Sequence, residues 1–106
     1  MPQDYNNEIE RIKLQIIKKF NPLKIILFGS LARGNYNKDS DIDLLIVQDT
    51  KKSRLEITSE YYKEIDYDIP TDFVITTPEG FKNGNVDATN IFARNILQEG
   101  VIIYER

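Results

Sequence analysis

Asp41 and Asp43 flank Ile42 at the head of the apolar run that ends at Val47, and their type and spacing suggest chemistry more directly than any other pair in the chain. On an extended strand, side chains two apart point to the same face. The two carboxylates would therefore stand side by side at the strand's beginning, with Ile42, Leu44 and Ile46 turned to the other face. Adjacent carboxylates repel unless a cation or protons lie between them, and a bridging magnesium ion is a natural resolution. A lone Asp-x-Asp is more often a solvated pair. Gly29-Ser30 changes that weighting, because it directly follows the apolar run Leu23 to Phe28 and opens the short stretch Leu31 to Gly34. Glycine at a strand end lets backbone N–H groups approach phosphate oxygens, and a helix N-terminus favours anions. The Ser30 hydroxyl adds a donor. Gly-Ser after a strand is by itself mostly a turn. An anion cradle beside a carboxylate pair that can hold the anion's counter-metal is, however, what phosphoryl or nucleotidyl transfer requires. Ten residues lie between Ser30 and Asp41, enough for a short helix and a return loop.

What the chain lacks narrows the chemistry further. There is no Cys and no His among its 106 residues. That excludes disulfides, thiolate zinc sites, Ser-His-Asp triads and Cys-His nucleophiles. Acid–base or metal chemistry must rest on Asp, Glu, Lys, Tyr or Ser, and a metal held by carboxylates alone is a hard ion, magnesium or manganese. The length suits one domain, residues 1–106, with one modest core. No apolar run is long enough for a membrane span and no signal-peptide pattern is present, so a cytoplasmic location is expected. The formal net charge is −3, which offers no broad basic footprint for a nucleic acid; direct nucleic-acid binding is not expected. A local site for a metal-bound nucleotide remains compatible with that charge.

The elements that must position these residues follow from periodicity and punctuation. Ile9, Ile12, Ile16 and Phe20 recur at helical spacing, so a helix is predicted from Glu8 to Phe20, with Asn7 and Glu10 as a capping box and Asn21-Pro22 as its end. Leu23 to Phe28 and Asp41 to Val47 read as strands. Ser53 and Glu56 open a helix to about Lys63. Thr71 to Thr76 is a third strand, and Thr77-Pro78 starts another helix. Asn83-Gly84-Asn85 reads as a turn, Asp87 to Gln98 as a final helix closed by Gly100, and Val101 to Tyr104 as a last strand. The order specifies an α/β or α+β sheet domain.

Gly29-Ser30, ten residues, and then Asp41-Ile42-Asp43 resembles the signature of the DNA polymerase β-like nucleotidyltransferase superfamily. The fuller string from Gly29-Ser30-Leu31-Ala32-Arg33-Gly34 to Ser40-Asp41-Ile42-Asp43-Leu44-Leu45 is similar to its minimal nucleotidyltransferase branch, which includes the MntA antitoxins. The resemblance runs over nearly the whole chain, including the ending Glu99 to Glu105. It implies a small mixed β-sheet with helices packed on one face. It also implies a nucleoside triphosphate, ATP, at Gly29-Ser30, and two magnesium or manganese ions on Asp41, Asp43 and a third carboxylate from a later strand. Asp72 is the best match for the third. Asp66 and Asp68 share its parity, but Pro70 separates them from the strand. Thr71 and Leu31 depart from the family's commoner choices. Arg33 could reach phosphate, or form an ion pair with Asp39 or Glu79. Lys38 reads as solvated and Tyr61-Tyr62 as packing residues.

The resemblance thus implies a metal-dependent enzyme that moves AMP from ATP to a hydroxyl acceptor, with Asp72 joining a metal and helping to activate that hydroxyl. The acceptor is expected on a helical HEPN-type toxin, for which this chain would be the antitoxin; a partner chain or a homodimer would supply the wall of the site that so short a chain lacks. The rival reading is a catalytically weak nucleotide-binding module that acts by complex formation. An RNA-modifying transferase is disfavoured by the acidic balance.

Overall fold

The computed structural model describes residues 3–82 and 99–106. Its first element, α1 (Gln3–Phe20), presents Tyr5, Ile9, Ile12 and Ile16 to the core. The helix begins before the predicted Asn7–Glu10 capping box, which lies within it. The reason is tertiary: Tyr5 is buried, and its hydroxyl donates to the Ser40 carbonyl at 2.8 Å, so the first turn is held by the loop it packs against. Asp4 in that turn also suits the positive end of the helix dipole.

Strand β1 (Lys24–Phe28) leads through the single-turn helix α2 (Ser30–Arg33) to β2 (Ile42–Val47), which runs antiparallel to it. The helix α3 (Arg54–Glu64) then crosses to β3 (Thr71–Thr76), parallel to β2. After α4 (Pro78–Lys82), β4 (Val101–Glu105) pairs antiparallel with β1. The sheet order is β3-β2-β1-β4, a mixed sheet of four strands. Two helix starts follow their sequence signals. The Ser53 hydroxyl accepts from the Glu56 N–H at 3.2 Å, and the Thr77 hydroxyl accepts from the Gly80 N–H at 3.1 Å. The predicted turn at 83–85 and helix at 87–98 lie outside the described residues.

One sheet face carries Ile25, Leu27, Ile42, Leu44, Ile46, Phe73 and Ile75, covered by α1 and by Ile57 and Tyr61 of α3. Ile26, Phe28 and Leu45 form a smaller cluster on the other face with Val74 and with Phe81 of α4. The two long helices thus share one face, and β2, between two neighbours, is apolar on both, as its unbroken run Leu44 to Val47 requires. No helix among the described residues is long and apolar enough to cross a membrane.

Tyr61 shows how tightly α3 is keyed to the sheet. Its ring stacks on Phe20 and its hydroxyl donates to Gln48 Oε1 at 2.6 Å, while Gln48 Nε2 donates to the Phe20 carbonyl at 2.8 Å. Tyr61→Phe keeps the ring and leaves a buried amide oxygen unpaired. It should lower unfolding free energy by about 1–3 kcal/mol in urea titration.

Candidate active site

Sheet register brings the candidate residues together. In the antiparallel β1–β2 ladder Phe28 stands opposite Asp43, so β1 ends beside that carboxylate and Gly29 follows at once. In the parallel β2–β3 ladder Asp43 stands beside Asp72. Register partners point to the same face, so Asp43 and Asp72 share the face opposite α1 and α3. Asp41 precedes the first residue of β2 and is exposed.

Gly29 has φ 77° and ψ −158°, backbone that only glycine adopts without strain. A Cβ at this position would lie 2.2 Å from Asp43 Oδ2. The absence of a side chain therefore lets the Asp43 carboxylate rest against the turn that carries Ser30. Gly34 closes α2 in the left-handed region, its N–H donating to the Ser30 carbonyl.

Electrostatics mark Asp43 as the strained member. Burial pushes its carboxyl up to about 6, the negative charge of Asp72 and a hydrogen bond shared with it add to the shift, and the charge of Asp41 contributes less. Arg33 pulls the other way. Two carboxyls set side by side in register form a site that a proton or a cation stabilises. With oxygen donors only, the cation that fits is a hard divalent ion. Among the described residues, no group of three or more acidic side chains stands gathered as a metal would require. Asp43 and Asp72 form the pair, and Asp41 lies at its edge.

Arg33 on α2 engages Glu99, with Nη1 to Oε2 at 3.2 Å, rather than Asp39 or Glu79. Asp66 and Asp68, the other candidates for the third carboxylate, instead pair with Arg11 of α1, at 2.8 and 3.4 Å. Lys38 is exposed, Tyr61 is fully buried, and Tyr62 packs edge-on to Phe73.

Three features of the site were not read from the sequence. Asp43 stands in register with Asp72, whose charge acts on it more strongly than that of Asp41, and only the parallel pairing reveals this. The steric need for Gly29 depends on the same register. Glu99 carried no local signal, because its contact with Arg33 spans most of the chain.

Comparison with known proteins identifies the family. The family model described as nucleotidyltransferase domain matches residues 9–103. A protein of Methanocaldococcus jannaschii named "putative protein adenylyltransferase" is 37% identical over 82 residues, covering 76% of this chain and 77% of that protein. A second of the same name and organism is 40% identical over 52 residues, 43% of this chain and 50% of that protein. A crystal structure of a "putative nucleotidyltransferase" from Sulfolobus solfataricus superposes with a TM-score of 0.64 at 21% identity, covering 100% of this chain and 90% of that one. A toxin–antitoxin structure with AMP-PNP superposes with a TM-score of 0.55 at 21% identity, over 95% of this chain and 73% of that one. A mutant of the toxin–antitoxin MntA-HpeT gives 0.54 at 19% identity, over 99% of this chain and 75% of that one. The match to the family model spans nearly all of the sequence, the four-stranded mixed sheet superposes on a nucleotidyltransferase fold, and this chain belongs to the nucleotidyltransferase domain family.

Proposed function

We propose that this nucleotidyltransferase moves the AMP group of ATP, in a magnesium- or manganese-dependent reaction, onto a hydroxyl of a helical HEPN-type partner protein, and thereby acts as the antitoxin of a toxin–antitoxin pair in the cytoplasm. The observation that carries the reading is the in-register Asp43–Asp72 pair packed against Gly29. The names of the Methanocaldococcus proteins support protein as the acceptor, and the toxin–antitoxin structure with AMP-PNP supports an adenine nucleotide and a toxin partner.

Each residue then has a part. Backbone N–H groups of the Gly29 turn and the Ser30 hydroxyl bind triphosphate oxygens, and Arg33 adds a charge-assisted contact. Asp43 and Asp72, with Asp41 drawn in from the edge of the pair, would hold two divalent ions. When bound, these neutralise the triphosphate and stabilise the charge that develops on the attacking and leaving oxygens. The acceptor oxygen bonds to the α-phosphorus, the bond to the bridging oxygen of the β-phosphate breaks, and pyrophosphate leaves. The hydroxyl proton passes to a carboxylate, for which Asp72, on the exposed edge strand, is assigned. The partner, or a second copy of this chain, completes the wall that faces the acceptor.

Incubating the chain with its helical partner, ATP and magnesium should add about 329 Da per transferred group to the partner, the mass of an AMP residue, by this monophosphate transfer. Intact-mass spectrometry reads it, with Asp41→Asn as control. An unmodified partner held in a tight complex would favour the binding-module reading instead.

A further inference from the structure

The link between α3 and β3, residues 65–70, has no regular structure of its own, yet it must deliver Asp72 in register with Asp43. Its backbone is held from α1. Glu8, only 7% exposed, accepts the N–H of Asp68 and that of Ile69, the latter at 3.2 Å, through the same oxygen, Oε2. Arg11 grips Glu8 through two bonds of 2.9 and 3.1 Å and reaches Asp66 at 2.8 Å. Gln15 exchanges two hydrogen bonds with the backbone of Asp66, at 2.7 and 2.8 Å, and Lys19 donates to the Glu64 carbonyl at 2.6 Å. Residues 8, 11, 15 and 19 fall on one stripe of the helix, so α1 offers a polar rail beside its apolar face.

That rail ends where strand register begins. The Ile69 carbonyl accepts from the Thr71 hydroxyl at 2.8 Å, and the Pro70 carbonyl accepts from the Ile42 N–H at 2.9 Å, which opens the β2–β3 ladder. Register matters here more than elsewhere in the sheet, because a slip of one residue would turn Asp72 to the face covered by α1 and α3. Burying a carboxylate is costly unless it is fully partnered. Burial pushes the Glu8 carboxyl up, and Arg11 with the two amides more than offsets it, so its pKa stays below the ordinary value. An aliphatic residue would fill the space without fixing the two adjacent N–H groups.

We infer that Glu8 is a positioning residue: with Arg11, it fixes the register of β3 and so sets Asp72 beside Asp43, without touching substrate. The catalytic consequence rests on the function proposed above; the structural one does not.

Glu8→Ala should lower kcat by about 10-fold or more, since small misplacements of a reacting group cost up to about 100-fold, and should leave KM for ATP within about 2-fold, because the Gly29-Ser30 turn belongs to β1 and α2. The backbone amide resonances of Thr71, Asp72 and Phe73 should shift and exchange faster with solvent. Glu8→Gln, which retains an oxygen acceptor for both N–H groups, should recover most of the rate. Ile16→Val, a core change on the same helix, should lower stability and leave kcat within about 2-fold. If Glu8→Ala does not fold, Arg11→Met loosens the same rail from a half-exposed position and should give a smaller kcat loss with the same amide shifts. Unmoved Asp72 resonances in the folded variants, or an equal kcat loss in Ile16→Val, would overturn the inference. If the wild type transfers no AMP, the proposed function fails, and the Asp72 resonances still decide whether Glu8 positions that residue.

Discussion

Asp43→Asn should reduce AMP transfer by about 1,000-fold or more, since a group that acts as one unit with its neighbours removes most of the catalysis when it is lost. Asn keeps the shape and the contact with Gly29 but cannot serve as an anionic ligand. The same change should stabilise the protein when no metal is present. The Asp43 carboxyl stands at about 6 against an ordinary 3.8. Between those values the folded state binds more protons than the unfolded chain, so the stability contributed at this position falls as pH rises through the window and is flat above it. Full conversion would give roughly 3 kcal/mol at about 1.36 kcal/mol per unit. The group is only half-buried, so solvent screening reduces this, and about 1 kcal/mol is the expected size. Urea titrations in a chelator at pH 4 and 7.5 should therefore show Asp43→Asn gaining stability over wild type mainly at the higher pH. Glu8, whose pKa is lowered, has the opposite sign and loses its contribution as pH falls. It is present in both proteins and drops out of the difference.

Gly29→Ala should be far more damaging than Gly34→Ala. It combines two costs. The backbone at φ 77° and ψ −158° is strained for any residue with a Cβ, at about 1–3 kcal/mol. The added carbon would also stand 2.2 Å from Asp43 Oδ2, so the carboxylate or the turn must move. A loss of about 2–4 kcal/mol in unfolding free energy is expected, together with loss of ATP binding. Gly34→Ala provides the internal comparison. Its φ is +84°, but nothing lies within 4 Å of the added carbon. It should cost about 1–2 kcal/mol for left-handed backbone alone and leave nucleotide affinity near wild type.

Where a signal is local, the sequence carried it. The Ser53 and Thr77 caps, the span of β3 and the alternation of Ile42, Leu44 and Ile46 all reflect neighbours within a few residues, and each is found where expected. The start of α1 was misplaced because its first turn is fixed by Tyr5 reaching the 37–40 loop, a contact that no cap residue announces. At the site, Gly29-Ser30 indicated a turn, which follows β1, whereas Asp41, whose parity with Asp43 suggested a shared face, lies just before β2. The parallel pairing of β2 with β3, which sets Asp72 in register with Asp43, depends on a crossover through α3. The role of Glu8 was hidden for the same reason: a lone Glu on a helix reads as solvated until the 65–70 link is laid against it. Long-range register, which local patterns do not encode, accounts for most of what the sequence left open.

Isothermal titration of ATP reads whether the Asp43–Asp72 pair beside Gly29 is a metal–nucleotide site. Wild-type protein should bind ATP at least about 10-fold more tightly with magnesium than with chelator, because the ion removes the repulsion between carboxylates and triphosphate. The double variant Asp43→Asn, Asp72→Asn should lose that magnesium dependence while its circular dichroism stays native. Equal magnesium-dependent affinity in wild type and the folded double variant would mean that these carboxylates do not hold the metal–nucleotide complex.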